Sequence, residues 1–122
     1  MQARRWEPTP EALKQISRLD ELHARGWWRH NPRARQALVD LVIALDRNSP
    51  WNLVGVSLFP RDNVPSGLQM EHHGSPGWEL NITPAGEYVL YRFDEDRFVG
   101  PVTDVEEIVP EILDAQVGTV AA

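Results

Sequence analysis

The chain has 122 residues, a net charge of -6 and no cysteine. This length matches one domain, 1–122, and a content of 42% hydrophobic and 25% charged residues excludes a disordered composition. Without cysteine, a disulfide framework, a thiolate zinc site and a cysteine nucleophile are all excluded. Because no apolar run resembles a membrane span or a signal peptide, we expect a cytoplasmic protein that does not contact a membrane.

The charge is divided unevenly along the chain. Residues 1–59 carry nine Lys or Arg against six Asp or Glu, whereas residues 60–122 carry three Arg against twelve Asp or Glu and have a net charge of -9. Such a surface repels phosphate backbones and attracts basic partners. The distribution disfavours nucleic-acid binding and favours a basic protein partner, with acidic residues that only aid solubility as the alternative.

The first predicted element is a helix. Thr9 and Pro10 are typical of a helix start, and a spreading apolar stripe runs from there to about Arg25. Gly26 suits the left-handed residue that ends a helix. His23 falls within the stripe, so we expect it to be buried or half buried and to bond a carbonyl. Residues 1–8, before this helix, are expected to fray.

A second helix is predicted from Asn31 and Pro32 to the segment 48–50, Asn-Ser-Pro. Its apolar residues recur three and four positions apart, as one face of a helix requires. They are Ala34, Ala37, Leu38, Leu41, Val42 and Leu45.

From Trp51 onward the apolar period changes to two, which predicts strands. In the clearest case Trp78, Leu80 and Ile82 should face the core, and the residues between them should face outward. Turn residues separate the strands and indicate an antiparallel meander. The predicted strands are 54–59, 68–73, 78–83, 88–93 and a short one at 98–99.

The last predicted element is a helix that begins at Thr103, which forms a capping box with Glu106. Pro110 should kink or break this helix because it lacks an amide hydrogen, and residues 117–122 should fray. The elements together predict an α+β fold in two layers. It consists of two N-terminal helices, an antiparallel sheet of about four strands and a C-terminal helix.

Glu71, His72 and His73 are the clearest candidates for a metal site, since imidazole and carboxylate bind zinc or iron. In a strand Glu71 and His73 share one face and His72 lies on the other, so at most two could bind one ion. A solvated strand end is the simpler interpretation, and we expect no metal and no cofactor. Sequence motifs of serine hydrolases, P-loops, dinucleotide-binding folds and zinc proteases are also absent.

Two segments suggest protein binding. Trp27, Trp28 and Arg29 begin an aromatic and basic segment that contains His30, Arg33 and Arg35. Tryptophan and arginine are enriched at interface hot spots, although core packing and ion pairs with the acidic half of the chain are the simpler explanation. Asp94, Glu95 and Asp96 form an acidic hairpin that could speed association with a cationic cleft, with a solvated turn as the alternative.

The pattern Trp78-x-Leu80-x-Ile82, then Gly86-x-Tyr88 and an acidic helix, resembles the immunity proteins of bacterial toxin systems over residues 78–114. The resemblance implies a protein that occludes a toxin's active site and has no catalytic residues. We therefore predict a non-enzymatic protein-binding module, monomeric or homodimeric, that presents acidic residues to a basic protein. A secretion-chaperone-like homodimer, a small ligand-binding domain or enzyme that uses Glu71 and His73, and a structural domain of a larger assembly remain alternatives.

Overall fold

The computed structural model describes residues 7–74 and 77–121, and the side chains at 50, 51 and 117–121 lie outside that description. The described residues form three α-helices and one five-stranded sheet, which confirms the α+β class. The elements are α1 (Pro10–Ala24), α2 (Pro32–Asn48), β1 (Val56–Pro60), β2 (Leu68–His72), β3 (Trp78–Ile82), β4 (Tyr88–Arg92), β5 (Arg97–Val102) and α3 (Val105–Ala121). The sheet has five strands where we predicted about four, since the short strand predicted at 98–99 extends over six residues and is a full member of the sheet.

The sheet is an antiparallel meander in which each strand pairs with the next along the chain. One row of apolar side chains crosses all five strands: Leu58 lies opposite Met70, then come Leu80, Leu90 and Val99. This row packs with apolar residues from all three helices into a single core. The helices therefore cover one face of the sheet, as the two-layer prediction requires.

The caps predicted for the first two helices are confirmed. The Thr9 side chain accepts a hydrogen bond from the amide of Ala12, at 3.3 Å. The Asn31 side chain accepts from the amides of Arg33 and Ala34, at 2.9 and 3.1 Å. These bonds satisfy amides that the start of a helix leaves without an intrahelical partner.

Two polar contacts fasten the helices to their surroundings. The buried carboxylate of Asp46, near the end of α2, accepts hydrogen bonds from the amide and the hydroxyl of Thr9 at the start of α1. The hydroxyl of Tyr88, on β4, donates to the carbonyl of Ala37 on α2. Burial raises the pKa of Tyr88 above its usual value, so the phenol stays protonated as a donor.

The prediction of a strand from residue 54 is wrong at its start. Pro50–Leu53 forms a 3-10 turn, and β1 begins only at Val56. The side-chain amide of Asn52 donates to the carbonyl of Leu45, at 2.8 Å, which ties this turn to the C-terminal end of α2. Gly55 follows with a φ of 77°, outside the extended range of a strand, so the strand starts one residue later.

The capping box predicted for α3 is also wrong. The Asp104 carboxylate, rather than Thr103, accepts a hydrogen bond from the amide of Glu106, at 2.9 Å. A carboxylate at this position also interacts favourably with the positive end of the helix dipole. The helix consequently begins at Val105, later than predicted.

Pro110 does not break α3, which continues past it; of the two outcomes that we predicted, a kink or a break, the break is wrong. It is exposed, so water can reach the carbonyl that its missing amide leaves unpaired. Ile108 and Ile112, on either side of it, are fully buried and hold the helix against the sheet. The helix continues to Ala121, past residue 117 where we placed the start of a frayed tail. The tail expected at 1–8 falls mostly outside the described residues.

Within the described part of the chain, no helix is both long and apolar enough to span a bilayer.

Two glycines with positive φ allow a matched stability test. A Cβ at Gly26 (φ 73°) would meet no atom within 4 Å, whereas a Cβ at Gly100 (φ 108°) would lie 2.4 Å from the Tyr88 carbonyl oxygen. Gly26→Ala should cost about 1 kcal/mol, the cost of left-handed backbone alone. Gly100→Ala should cost at least about 3 kcal/mol because the clash adds to that strain. Urea denaturation measures the free energy of unfolding of both variants. Equal losses of stability would contradict the close approach of Gly100 to the Tyr88 carbonyl.

Candidate functional site

The sheet has an open face, opposite the three helices, on which the described residues place no other element. Strand alternation and register assign its side chains. They are Ser57, Phe59, Gln69, Glu71, Glu79, Asn81, Val89, Tyr91 and Phe98. An antiparallel sheet with one solvated face normally carries polar residues there, so the aromatic residues in this set are unusual.

Tyr91, Phe93 and Phe98 form an aromatic cluster at the β4–β5 end of the open face. The ring of Tyr91 lies 4.9 Å from that of Phe93 and 4.8 Å from that of Phe98, measured between ring centres. Phe93 is 49% exposed and Phe98 67% exposed. The cluster is therefore held together by ring contacts but presents apolar surface to water, as interface residues do.

Carboxylates lie in the same cross-strand row as the cluster. Glu71 is directly opposite Glu79, and Glu79 is directly opposite Tyr91. Like charges at opposed positions repel each other. The side-chain amide of Gln69 reduces this repulsion by donating to both carboxylates, at 2.7 and 3.0 Å. No Lys or Arg is among the strand residues of this face, so its potential is negative.

The acidic hairpin 94–96 is largely engaged within the protein. Arg92, only 2% exposed, places its guanidinium against Asp94, with two bonds of 3.1 and 2.7 Å. Glu111 and Asp114, on α3, each lie 2.8 Å from the same guanidinium. This network, which the sequence analysis did not identify, ties β4 and its hairpin to α3. Asp94 is thus a structural ligand of Arg92 rather than a free carboxylate.

The other two hairpin carboxylates lie nearer to solvent. Glu95 pairs with Arg97, which also pairs with Glu111 at 3.0 Å. Asp96 accepts a hydrogen bond from the hydroxyl of Tyr91, and this bond raises the pKa of Tyr91. Asp96 therefore extends the acidic surface to the edge of the aromatic cluster.

The structure separates the three predicted residues of the aromatic and basic segment. Trp28 is 3% exposed, and its indole N–H donates to the Ser66 carbonyl at 3.0 Å, so it belongs to the core. Trp27 is 54% exposed, with the Arg25 guanidinium 4.9 Å above its ring. Arg29 is exposed. This segment lies against the β1–β2 loop rather than on the open face.

His23 is exposed, which contradicts our expectation that it would be buried. The buried apolar residues Leu19 and Leu22 face the core, and His23 follows them just outside that face. Its ring contacts Trp28 and His30, at 6.3 and 5.6 Å between ring centres.

The metal candidates do not form a site. His72 lies on the inner face, stacked on Trp78 at 5.7 Å, and burial lowers its pKa. His73 lies 2.8 Å from the Ser57 hydroxyl, while Glu71 is bonded to Gln69. Among the described residues no group of three metal-ligating side chains occurs.

Compared with known proteins, the chain matches no family model, and no curated protein or solved structure shows significant similarity to it.

The Arg92 network predicts unequal costs for its two arginines. Arg92→Met leaves several carboxylates without their buried cation and should cost about 3 kcal/mol. Arg97→Met removes two solvent-accessible ion pairs, with Glu95 and Glu111, and should cost at most about 1 kcal/mol. Urea denaturation of both variants and of the wild type checks this. Similar costs for the two variants would show that burial of the Arg92 charge is not decisive.

The network also predicts a pH dependence. Hydrogen bonds from Arg92 lower the pKa of Asp94, so the ionised carboxylate stabilises the fold above its unfolded pKa of about 3.9. That contribution is lost as the pH falls through the lower folded value. Asp94→Asn should therefore be less stable than wild type at about pH 7, and the difference should shrink below about pH 4. Urea denaturation of both proteins across this pH range measures the difference in stability. A difference that does not change with pH would refute the ion pair between Arg92 and Asp94.

Proposed function

We propose that this domain is a non-catalytic protein-binding module whose open sheet face binds a basic protein. Within that class, we propose an immunity-type inhibitor that occludes the active site of a toxin. The observation that carries the proposal is the exposed aromatic cluster, Tyr91, Phe93 and Phe98, beside the carboxylates of Glu71 and Glu79.

The arrangement has the parts of a protein interface. Interfaces combine an apolar, often aromatic, centre with a polar rim. Burial of an exposed phenylalanine side chain contributes about 1.5–3 kcal/mol, so Phe93 and Phe98 supply the apolar centre. The polar rim is negative throughout, since it consists of the carboxylates of Glu71, Glu79 and Asp96. Such a rim accelerates the encounter with a cationic partner and disfavours anionic partners.

The β1 edge of the sheet is less suited to binding than the face. The carbonyls of Val56 and Leu58 point away from β2 and accept hydrogen bonds from Gln15 and Arg18 of α1, at 3.0 and 3.3 Å. Pro60, the next residue with this orientation, has no amide hydrogen to offer an added strand. An added strand would therefore find few free hydrogen-bonding groups on β1, which supports docking on the open face.

The charge of the open face also favours a different protein over a second copy. In a two-fold symmetric dimer the same surface meets itself. Glu71 and Glu79 would then oppose the same carboxylates, with no Lys or Arg among the strand residues of the face to compensate them. This argues against a chaperone-like homodimer through this face.

The proposal is tested first by site-specific cross-linking. The photoreactive residue p-benzoylphenylalanine replaces Phe98 in one variant and Gln36, exposed on α2, in a control variant. In cells that contain the native partner, position 98 should cross-link to a basic protein and position 36 should not. Cross-links equal at both positions, or an acidic partner at position 98, would refute the proposal.

The captured protein is then purified and titrated with variants of the domain. Phe98→Ser should weaken binding about 30-fold, the loss typical of an aromatic hot spot. Leu13→Ser, which changes an apolar side chain 52% exposed on α1 and outside the face, serves as the matched control and should leave affinity within about twofold. If both variants bind like the wild type, the open face is not the interface.

A further inference from the structure

We propose a second binding site, independent of the open face, that takes an acidic peptide segment. It is a groove of about 400 Å³ between the α1–α2 connection and the β1–β2 loop. The volume lies within the range of about 300–1,000 Å³ typical of ligand sites. Trp27 and Arg29 line one side, and Arg61, Val64 and Pro65 line the other.

The walls of the groove are held in place by hydrogen bonds. The buried indole of Trp28 donates to the carbonyl of Ser66, which joins the two walls. The amide of Gly67 donates to the Val64 carbonyl at 2.9 Å, and the amide of Arg61 donates to the Gly67 carbonyl at 3.0 Å. The groove therefore exists before a ligand arrives, so that binding does not have to order the loop.

The loop also contains two residues in left-handed backbone conformation, Asn63 with φ 62° and Ser66 with φ 63°. Such conformations are strained for residues other than glycine and concentrate at binding sites. Here the hydrogen bond from Trp28 holds Ser66 in its strained conformation. The stability of the fold therefore maintains the strained conformation of this loop, which forms one wall of the groove.

The charge of the groove is not neutralised within the described part of the domain. Arg29 and Arg61 both line it, and neither side chain has an ion-pair or hydrogen-bond partner among the described residues. By contrast, ion pairs engage five other arginines: Arg18, Arg25, Arg35, Arg92 and Arg97. In a chain of net charge -6, two unpaired guanidinium groups at one groove indicate an anionic ligand.

The remaining features favour carboxylates on a peptide over phosphates. Phosphate sites often use the free amides at a helix N-terminus, but Asn31 already accepts from the first amides of α2. Guanidinium groups bind carboxylates and phosphates alike through two parallel hydrogen bonds, so the lining of the groove decides between them. Trp27, Val64 and Pro65 provide apolar contact for neighbouring side chains of a peptide.

The test uses a fluorescein-labelled peptide of eight residues with alternating Glu and Leu, titrated against the full chain in a fluorescence anisotropy assay. We expect saturable binding below about 1 mM, and no binding of a peptide in which Lys replaces Glu. Arg29→Ala and Arg61→Ala should each weaken binding about tenfold. Lys14→Ala removes one positive charge from the separate cavity between α1 and β1 and should change affinity less than about twofold.

Three results would overturn the site: no binding of the Glu peptide, an equal loss in the Lys14 control, or tighter binding of ADP than of the peptide. Tighter binding of ADP would identify the ligand of the groove as a nucleotide and not a peptide. Phe98→Ser, on the open face, should bind the peptide like the wild type. The two proposals can therefore fail separately, since loss of the basic partner leaves peptide binding intact and loss of peptide binding leaves the partner bound.

Discussion

The guanidinium of Arg92 is a charge that the fold has to accommodate, because it points to the inner face of the sheet and is almost completely buried. A buried cation is tolerated only when anions and hydrogen bonds surround it. Asp94, Glu111 and Asp114 meet that condition from two different elements. The positions of these carboxylates around the guanidinium also determine how α3 packs against the sheet and which path the hairpin after β4 follows.

The same requirement shapes the open face. The hairpin that supplies Asp94 to Arg92 on the inner side also supplies Asp96 to Tyr91 on the outer side. Tyr91 in turn contacts Phe93 and Phe98. A buried ion pair and an exposed aromatic cluster are therefore connected through one short turn.

The two proposed sites have opposite charge and lie on different parts of the molecule. The open face has carboxylates and aromatic rings but no Lys or Arg among the strand residues that point to it, whereas the groove beside the β1–β2 loop has Trp27 and two unpaired arginines. Opposite potentials at the two sites favour ligands of opposite charge.

Local sequence signals predicted the helices well where the capping chemistry is local. Thr9 and Asn31 begin their helices as expected, because each side chain bonds amides only two or three residues away. The predictions were wrong where a competing contact decided the outcome. Asp104 replaced Thr103 as the cap of α3.

The candidate sites were less predictable than the fold. The sequence singled out the hairpin 94–96 for its charge, but the use of Asp94 depends on Arg92 and α3, which no local pattern connects. Trp27 and Trp28 are adjacent and chemically identical, yet one is exposed and the other is in the core. The alternation of β4, with Tyr88, Leu90 and Arg92 inward, was the one signal that could have placed Tyr91 on the open face.

The sequence by itself determined the α+β class, the order of the elements and which strand residues face the core, because helix caps and apolar periodicity act over a few residues. Only the tertiary structure decided which carboxylates are neutralised, which tryptophan is exposed and which arginines lack partners. Those outcomes depend on side chains brought together from distant positions, such as Arg92 with Glu111 and Trp28 with Ser66. Contacts between residues so far apart in the sequence form only when the whole chain packs, so no local pattern predicts them.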